Sequence, residues 1–281
     1  MKKIQGLDYY LQSFSCRDQI ADKCVSLLQA DVSGGRITKN DIDRLKDCKA
    51  TEIWISGLTQ NTFEYFIETY GQQFKIIHFW KCPLIADFKK LETLISIEYL
   101  IFFWNQRVTH LWDLSKNPKL RGLSFDDFTR MHTLEEIPLA PSLEELYFGD
   151  KIWNKYILDS LTPLSRAEKL KTLNFSAKKI NDNDITPLAR IMNLERLEFT
   201  SNLFSTEQIA WLTANTNITS SVLAPYKKLK YPLKTAGKIK DILVIGKRKP
   251  FLDSQEDKAR LDKYEREFID LVNKYRGNEW P

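Results

Sequence analysis

Histidine is scarce in this sequence, and so are the short patterns around which most enzyme active sites are built. Among 281 residues there are three histidines, His78, His110 and His132, and none lies in the HExxH pattern of zinc hydrolases. The GxSxG nucleophile turn, the GxxxxGK[ST] phosphate loop and the GxGxxG dinucleotide turn are also absent. The sequence therefore predicts a protein that is not an enzyme and that holds no cofactor and no metal ion.

Cysteine is also sparse, and it lacks the spacing of a disulfide framework or a zinc site. The four cysteines, Cys16, Cys24, Cys48 and Cys82, include no CxxC pair. They are few for a chain of this length, because disulfide frameworks occur mainly in much smaller secreted domains. We expect the thiols to be reduced and the protein to be cytoplasmic.

Long apolar runs are missing as well, although 43% of the residues are hydrophobic. A membrane-spanning helix needs about 20 consecutive apolar residues, and no stretch approaches that length. Lys2 and Lys3 resemble the start of a signal peptide, but Gln5, Asp8 and Gln12 interrupt the apolar run that should follow. We expect neither a secretion signal nor a membrane partner.

Internal repetition, by contrast, is abundant. Residues 161–175, LTPLSRAEKLKTLNF, match residues 185–199, ITPLARIMNLERLEF, at seven of fifteen positions. Their shared frame, L-x-x-L-x-[L/F], occurs in strong or weaker form from residues 50, 74, 97, 120, 143, 170, 194, 218 and 239, at intervals of 21–27 residues. The last two apolar residues of each copy lie two apart, which predicts a strand that shows one face to a core.

This period and frame resemble the leucine-rich-repeat family over residues 50–245. The resemblance implies an α/β solenoid of eight or nine units, curved like a horseshoe, with parallel strands on the concave face and helices or irregular returns on the convex face. One unit is too small to bury its own apolar face, so neighbouring units must stack. The stretch STEQ from Ser205 is a capping box, which predicts the start of a helix in one return segment.

The same family favours Asn or Cys three residues after the last apolar position of the strand. Cys82, Asn105 and Asn202 fit this column, whereas the other four of seven units do not. The resemblance gives Cys82 a structural rather than a reactive role, in keeping with the inertness of buried thiols.

Both ends of a solenoid need covering, and the sequence offers an apolar segment at each end. Residues 1–49 are predicted to form an N-terminal helical cap with the apolar residues Leu11, Phe14, Ile20, Val25 and Leu28. Residues 246–281 contain an amphipathic helix, whose apolar residues recur at spacings of three and four: Leu261, Tyr264, Phe268, Leu271 and Tyr275. We interpret this helix as a lid on the last strand, and docking of a partner protein is the alternative.

Residues that alternate with the buried strand positions should face the concave surface. Aromatic side chains gather there, above all on three adjacent strands, and exposed aromatic patches commonly mark protein interfaces. The predicted partner-binding residues are Trp54, His78, Trp80, Tyr99, Ile101, Phe103 and Tyr147. The alternative is that the N-terminal segment, with Tyr9, Tyr10 and Phe14, folds across the patch and covers it.

A local excess of positive charge indicates a second candidate surface. Residues 226–249 carry nine Lys or Arg and one acidic residue, whereas the net charge of the whole chain is only +5. The candidate basic patch consists of Lys227, Lys228, Lys230, Lys247, Arg248 and Lys249. Such a segment can contact nucleic-acid phosphates or an acidic protein, or it can be a solvated surface.

The sequence favours a non-catalytic scaffold that binds a partner protein through its concave face. The Lys-, Ile- and Asn-rich composition is typical of a bacterial protein, for which we interpret the role as an intracellular adaptor or an inhibitor of the immunity type. The alternative function is binding of nucleic acid or of an acidic partner through residues 226–249. Nucleic acid is the less favoured partner, because lysine runs are usually solvated.

Overall fold

The main element of the computed structural model, which describes residues 6–12, 23–29, 35–150, 152–235 and 238–280, is a parallel sheet. The strands are β1 (Cys24–Leu27), β2 (Glu52–Ser56), β3 (Ile76–Trp80), β4 (Tyr99–Phe103), β5 (Gly122–Asp126), β6 (Glu145–Gly149), β7 (Ile157–Leu158), β8 (Thr172–Ser176), β9 (Lys179–Ile180), β10 (Arg196–Phe199), β11 (Tyr226–Thr235), β12 (Lys238–Val244) and β13 (Phe251–Leu252). The parallel sheet has the order β1-β2-β3-β4-β5-β6-β8-β10. Strands β11, β12 and β13 form an antiparallel sheet, and β7 pairs with β9.

Helices and short 3-10 turns connect the strands. The α-helices are α1 (Leu7–Tyr10), α2 (Lys39–Ile42), α3 (Gln60–Thr69), α4 (Thr186–Ala189), α5 (Thr206–Asn215) and α6 (Lys258–Tyr275). The 3-10 helices are Asp43–Leu45, Gly71–Gln73, Lys89–Thr93, Leu114–Lys116, Ile137–Leu139 and Thr162–Arg166. Within the described ranges, no helix is both long and apolar enough to cross a bilayer.

The large sheet confirms the predicted repeat. Seven of the nine frame copies become strands that begin two residues after the copy begins, so that the copies at 170 and 194 become β8 and β10. The strands of the sheet begin 23 to 28 residues apart. From β2 to β10 each strand pairs in parallel with the next without a shift, which places equivalent repeat positions side by side. The fold is the α/β leucine-rich-repeat solenoid that the sequence predicts.

Two positions of each strand point into the core and form two rows across the sheet. The first row consists of Ile53, Ile77, Leu100, Leu123, Leu146, Leu173 and Leu197, and the second of Ile55, Phe79, Phe102, Phe125, Phe148, Phe175 and Phe199. All of these side chains are buried. Burying one such side chain contributes about 1.5–3 kcal/mol, so the two rows are the main source of cohesion between units.

The predicted helix start at Ser205 is confirmed. The Ser205 hydroxyl accepts a hydrogen bond from the Gln208 backbone N–H at 3.2 Å, and the Gln208 side chain accepts one from the Ser205 N–H at 2.9 Å. Thr59 and Thr62 form the same arrangement in front of α3. Each pair satisfies backbone N–H groups that the first helical turn leaves unpaired.

A buried asparagine joins neighbouring units at the predicted Asn/Cys column. The Asn105 amide donates to the carbonyl oxygens of Cys82 and Ile85, at 3.1 and 2.8 Å. Its side-chain oxygen accepts from the backbone N–H groups of Arg107 and Val108, at 2.9 and 3.0 Å. One side chain therefore satisfies two backbone groups in each of two neighbouring return segments.

Cys82, in the preceding unit of this column, is fully enclosed. Its thiol contacts the Ile55 carbonyl at 3.9 Å, and burial raises the pKa of the thiol to about 12. A thiol that stays protonated is a poor nucleophile, so the environment is that of a structural cysteine. Asn202, the third residue of the column, is exposed.

At the N-terminal end the structure adds a strand to the region predicted as a helical cap. Strand β1 pairs in parallel with β2, with Val25 opposite Ile53. The reason is that the edge of β2 offers unpaired N–H and C=O groups, which a further strand satisfies. Cys16, Phe14 and Ile20 lie outside the described residues.

At the C-terminal end the sequence predicts that the last two frame copies extend the parallel sheet, but in the structure they do not. The copy at residue 218 contributes one parallel bridge, between Arg196 and Thr219. The copy at residue 239 lies in β12, which is antiparallel to β11 and β13. Its apolar residues Ile242 and Val244 are two apart, as in the repeat, but they pack with Leu261 of α6. The parallel sheet therefore ends with β10, well before the predicted boundary at residue 245.

The predicted amphipathic helix forms and lies against the last return helix. Phe268 and Tyr275 of α6 join the main core. The Trp211 indole N–H of α5 donates to the Asn278 carbonyl, 2.9 Å away, just beyond the end of α6. Helix α6 thus covers α5, whereas the sequence predicted a lid on the last strand.

Replacing Leu173 by alanine should lower the free energy of unfolding by about 3 kcal/mol, because its side chain is fully buried in the first core row. The adjacent Asn174 lies on the opposite face of β8 and is half-buried, so Asn174→Ala should change it by less than about 1 kcal/mol. Chemical denaturation of both variants measures the difference. Similar losses at the two positions would contradict the strand register.

Candidate functional site

The concave face, which is the sheet face opposite the core, carries three rows of side chains in register. The first row contains Tyr99, the second contains Trp54, His78, Ile101 and Tyr147, and the third contains Trp80 and Phe103. The structure thus brings all seven predicted partner-binding residues onto one face. They divide into a covered part and an open part.

Helix α1 covers one part of the concave face. Leu7 and Tyr10 pack into a cluster with Ile76, Tyr99, Ile101 and Tyr147 that is separate from the main core. Exposed fractions fall to 1% for Tyr99, 6% for Ile101 and 5% for Tyr147. These three predicted partner-binding residues do not face solvent, because the N-terminal segment lies over them, as in the alternative interpretation of the sequence.

Three polar contacts fix α1 in place. The Glu145 carboxylate accepts the Leu7 backbone N–H at 2.9 Å. The Tyr147 hydroxyl donates to Asp8 at 2.7 Å, and the Arg196 guanidinium donates to the other oxygen of Asp8 at 3.2 Å. Burial raises the pKa of Glu145, and burial together with Asp8 raises the pKa of the Tyr147 hydroxyl. The contacts hold one acidic side chain between a phenol and a guanidinium.

Gly122 provides the space that this packing needs. A Cβ atom at this position would lie 2.3 Å from the Tyr99 ring and 3.0 Å from the Leu7 side chain. The first distance is shorter than such atoms can approach and the second is tight, so a side chain here would displace the Tyr99 ring and press on Leu7 of α1. We call the surface beneath α1 the α1 groove; it consists of Ile76, Tyr99, Ile101, Gly122, Glu145, Tyr147 and Arg196.

The other part of the predicted site is open. Trp54 stacks on His78 with ring centroids 4.5 Å apart, and Trp80 stacks on Phe103 at the same distance. Trp80 is 37% exposed, Trp54 and Phe103 are half-buried, and His78 is buried with its Nε2 3.4 Å from a Glu52 oxygen. A cavity of about 200 Å³ lies between these rings and Leu11, which follows α1. The open part can receive an apolar group of a few heavy atoms.

Further aromatic residues, which the sequence reasoning missed, extend the open part beyond the strand ends. The Lys81 ammonium lies 5.8 Å from the ring centroids of both Trp80 and Trp104. Trp104 and Trp153 line a second cavity of about 700 Å³ together with Phe103. Trp153 is 59% exposed. We call the surface formed by Trp54, Trp80, Phe103, Trp104 and Trp153 the aromatic edge.

A recurring backbone turn directs side chains to this edge. The residue that follows the strand has a positive φ in four consecutive units, with 69° at Gly57, 51° at Lys81, 62° at Trp104 and 60° at Asp127. This left-handed region suits glycine and disfavours bulky residues, at a cost of about 1–3 kcal/mol. Tryptophan at position 104 therefore makes the protein less stable than glycine would. Gly57 in the same column is the sequence feature that could have indicated the turn.

The predicted basic residues do not form one surface. Lys227 and Lys249 line the same cavity, but Lys228 follows Lys227 on β11 and so points to the opposite face of the ribbon. Lys247 donates to the side chain of Asn183, and burial lowers the pKa of its ammonium. Lys230 stacks on Tyr231, and Arg248 lies in the turn after β12.

Comparison with known proteins finds similarity among solved structures alone. No protein-family model matches the sequence, and no curated protein matches it. Internalin C2 of Listeria monocytogenes aligns at 20% identity over 62% of this chain and 73% of its own, with a TM-score of 0.42. A leucine-rich-repeat protein of Leptospira interrogans aligns at 15% identity over 68% and 53%, with a TM-score of 0.44. Another Listeria internalin, InlF, aligns at 15% identity over 66% and 62%, with a TM-score of 0.32.

The fold assignment rests on this chain itself. Its parallel strands recur every 23 to 28 residues and pair in register from unit to unit. The leucine frame supplies both core rows, and a buried asparagine closes a return segment. By its repeat, its sheet and its core, the chain has the leucine-rich-repeat fold.

Proposed function

We propose that the protein is a non-catalytic scaffold that binds a partner protein through the aromatic edge. The observation that carries the proposal is the stacked pair Trp80 and Phe103, which remains open at the end of a concave face on which α1 covers Tyr99, Ile101 and Tyr147. Tryptophan and tyrosine dominate the energetics of protein interfaces. Apolar surface of this kind is seldom left bare without a use.

The left-handed conformation of Trp104 supports the same proposal. A residue held at an unfavourable φ commonly serves a function, because stability alone would select glycine there. Lys81 and Lys155 lie 5.8 Å from tryptophan rings of the edge, and Asp127 lines the same cavity as these two lysines. An apolar centre with a charged rim is the usual composition of a protein interface. Within this function we propose the role of an intracellular adaptor or of an immunity-type inhibitor.

Two substitutions in the aromatic edge should abolish binding without unfolding the protein. Trp80→Ala removes an exposed ring, and Trp104→Gly removes a ring while it relieves the left-handed strain. We expect both variants to melt close to the wild-type temperature and to bind the partner at least about 30-fold more weakly, which corresponds to about 2 kcal/mol. The partner is first captured from an extract of the source cells and identified by mass spectrometry, and affinities are then measured by titration.

Met192→Ala is the matched control, because Met192 is 87% exposed and lies outside the aromatic edge. This variant should retain the wild-type affinity. Wild-type affinity in Trp80→Ala and Trp104→Gly would contradict the proposed site.

A further inference from the structure

We infer that α1 occupies a peptide-binding groove, and that the α1 groove accepts a partner segment of the same chemistry once α1 leaves. That chemistry is one helical turn with an apolar residue, then an acidic residue, then a tyrosine two positions later, as in Leu7, Asp8 and Tyr10. This inference rests on the proposed protein-binding function and extends it from the aromatic edge to the neighbouring groove. It also makes the N-terminal segment a competitor of the partner.

Helix α1 makes its polar contacts with residues far away in the sequence, as a separate peptide ligand would. Its polar partners Glu145, Tyr147 and Arg196 lie 138, 139 and 188 residues further along the chain. All three belong to the sheet, on strands β6 and β10, and none of these three contacts comes from an adjoining loop. The groove therefore exists as a surface of the solenoid that α1 meets from outside.

Helix α1 can leave the groove without opening the core. Its apolar cluster is separate from the cluster that holds the repeats together. The helix has four residues, and a single turn is not stable without the surface on which it lies. Asp8 and Arg196 are 61% and 59% exposed, so their ion pair is weakened by solvent. Departure of α1 would expose Ile76, Tyr99, Ile101 and Tyr147, an apolar surface that needs a new cover.

The groove specifies what can replace α1. Gly122 leaves a gap that the Leu7 side chain enters, and an aliphatic residue fits there. The Tyr10 ring lies 4.8 Å from the Tyr99 ring, which favours an aromatic residue three positions later. Between them, the Tyr147 hydroxyl and the Arg196 guanidinium both donate to Asp8, and paired donors of this kind select a carboxylate.

The test uses the full-length chain and a fluorescein-labelled peptide with the sequence of residues 6–12. Leu7→Gln places a polar group where Leu7 is fully buried, so it should release α1 and open the groove. We expect this variant to bind the peptide saturably and at least tenfold more tightly than the wild type, in which α1 competes. The same peptide carrying Asp8→Asn should bind at least tenfold more weakly. Leu28→Gln, the same change at a 47% exposed leucine, should behave as the wild type.

Circular dichroism tests whether Leu7→Gln is folded. If that variant does not fold, Asp8→Asn in the full-length chain replaces it, because this change keeps the buried Leu7 side chain. Equal peptide binding by the wild type and the released variants overturns the inference, as does the absence of binding at about 1 mM peptide. The proposed function fails separately. Partner capture that is lost in Trp80→Ala supports that function even where the peptide does not bind, whereas Asp8-dependent peptide binding supports the groove whatever the Trp80→Ala variant does.

Discussion

Replacement of Asn105 by alanine is expected to lower the free energy of unfolding by about 4 kcal/mol. The asparagine makes four hydrogen bonds to backbone groups at 2.8 to 3.1 Å, and its side chain is buried. Alanine leaves all four backbone groups without their hydrogen-bond partner, and each buried backbone group left unpaired costs about 1–3 kcal/mol. Water that enters the space left by the amide recovers part of this loss.

Gln106→Ala is the matched control for Asn105→Ala, because the neighbouring amide is exposed. It should change the free energy of unfolding by less than about 0.5 kcal/mol. Urea denaturation followed by circular dichroism compares the two variants. A loss below about 1 kcal/mol in Asn105→Ala would show that the return segment does not depend on this side chain.

Gly149→Ala is expected to destabilise the protein by about 4 kcal/mol or to prevent folding. A Cβ atom at this position would lie 1.9 Å from the Ser176 carbonyl oxygen, and that oxygen belongs to the backbone of the next strand in the sheet. The φ of Gly149 is +124°, which residues with a side chain rarely adopt. Relief of the clash requires β6 and β8 to separate at this point, and the Asp150 N–H bond to Ser176 would then lengthen.

Gly277→Ala separates the effect of conformation from that of the clash. Gly277 also has a positive φ, of +73°, but no atom of the described residues lies within 4 Å of the position that a Cβ atom would take there. Its replacement should cost about 1 kcal/mol, which is the conformational part alone. Expression yield and thermal melting measure both variants. Equal melting temperatures would refute the backbone clash at Gly149.

The core of the fold could be predicted because its cause is local and repeated. Leu173 and Phe175 are two residues apart and recur as Leu197 and Phe199, and a strand with one buried face requires this spacing. Ser205 and Gln208 predict a helix start for a similar reason, since the capping contacts span three residues.

The ends of the solenoid could not be predicted from the same spacing. Ile242 and Val244 in β12 are two apart, as Leu197 and Phe199 are in β10, but β12 is antiparallel to its neighbours. Alternation shows which residues share a face of a strand, and it does not show which strand lies beside it. For the same reason the sequence reasoning assigned β1 to a helical cap.

The candidate site was predictable in its residue types and not in its exposure. Alternation places Tyr99 and Trp80 on the concave face, yet Tyr99 is 1% and Trp80 37% exposed. The difference arises from α1, whose contacts are made with residues far away in the sequence. Gly122 lies beside Tyr99 in the first concave row, and its missing side chain is the sequence feature that indicates the close approach of another segment.

The distance in sequence between α1 and its groove has a consequence for the order of folding. Repeat units can form one after another as the chain leaves the ribosome, because each unit contacts mainly its neighbours. Residues 7–10 are synthesised well before Arg196, which binds Asp8 and follows it by 188 residues. At about 5–20 residues per second, the segment waits on the order of ten seconds or more for its complete surface. A segment that is made early thus reaches its final position late, and from the synthesis of β4 until α1 docks the nascent solenoid presents Tyr99 and Ile101 uncovered to chaperones and partners alike.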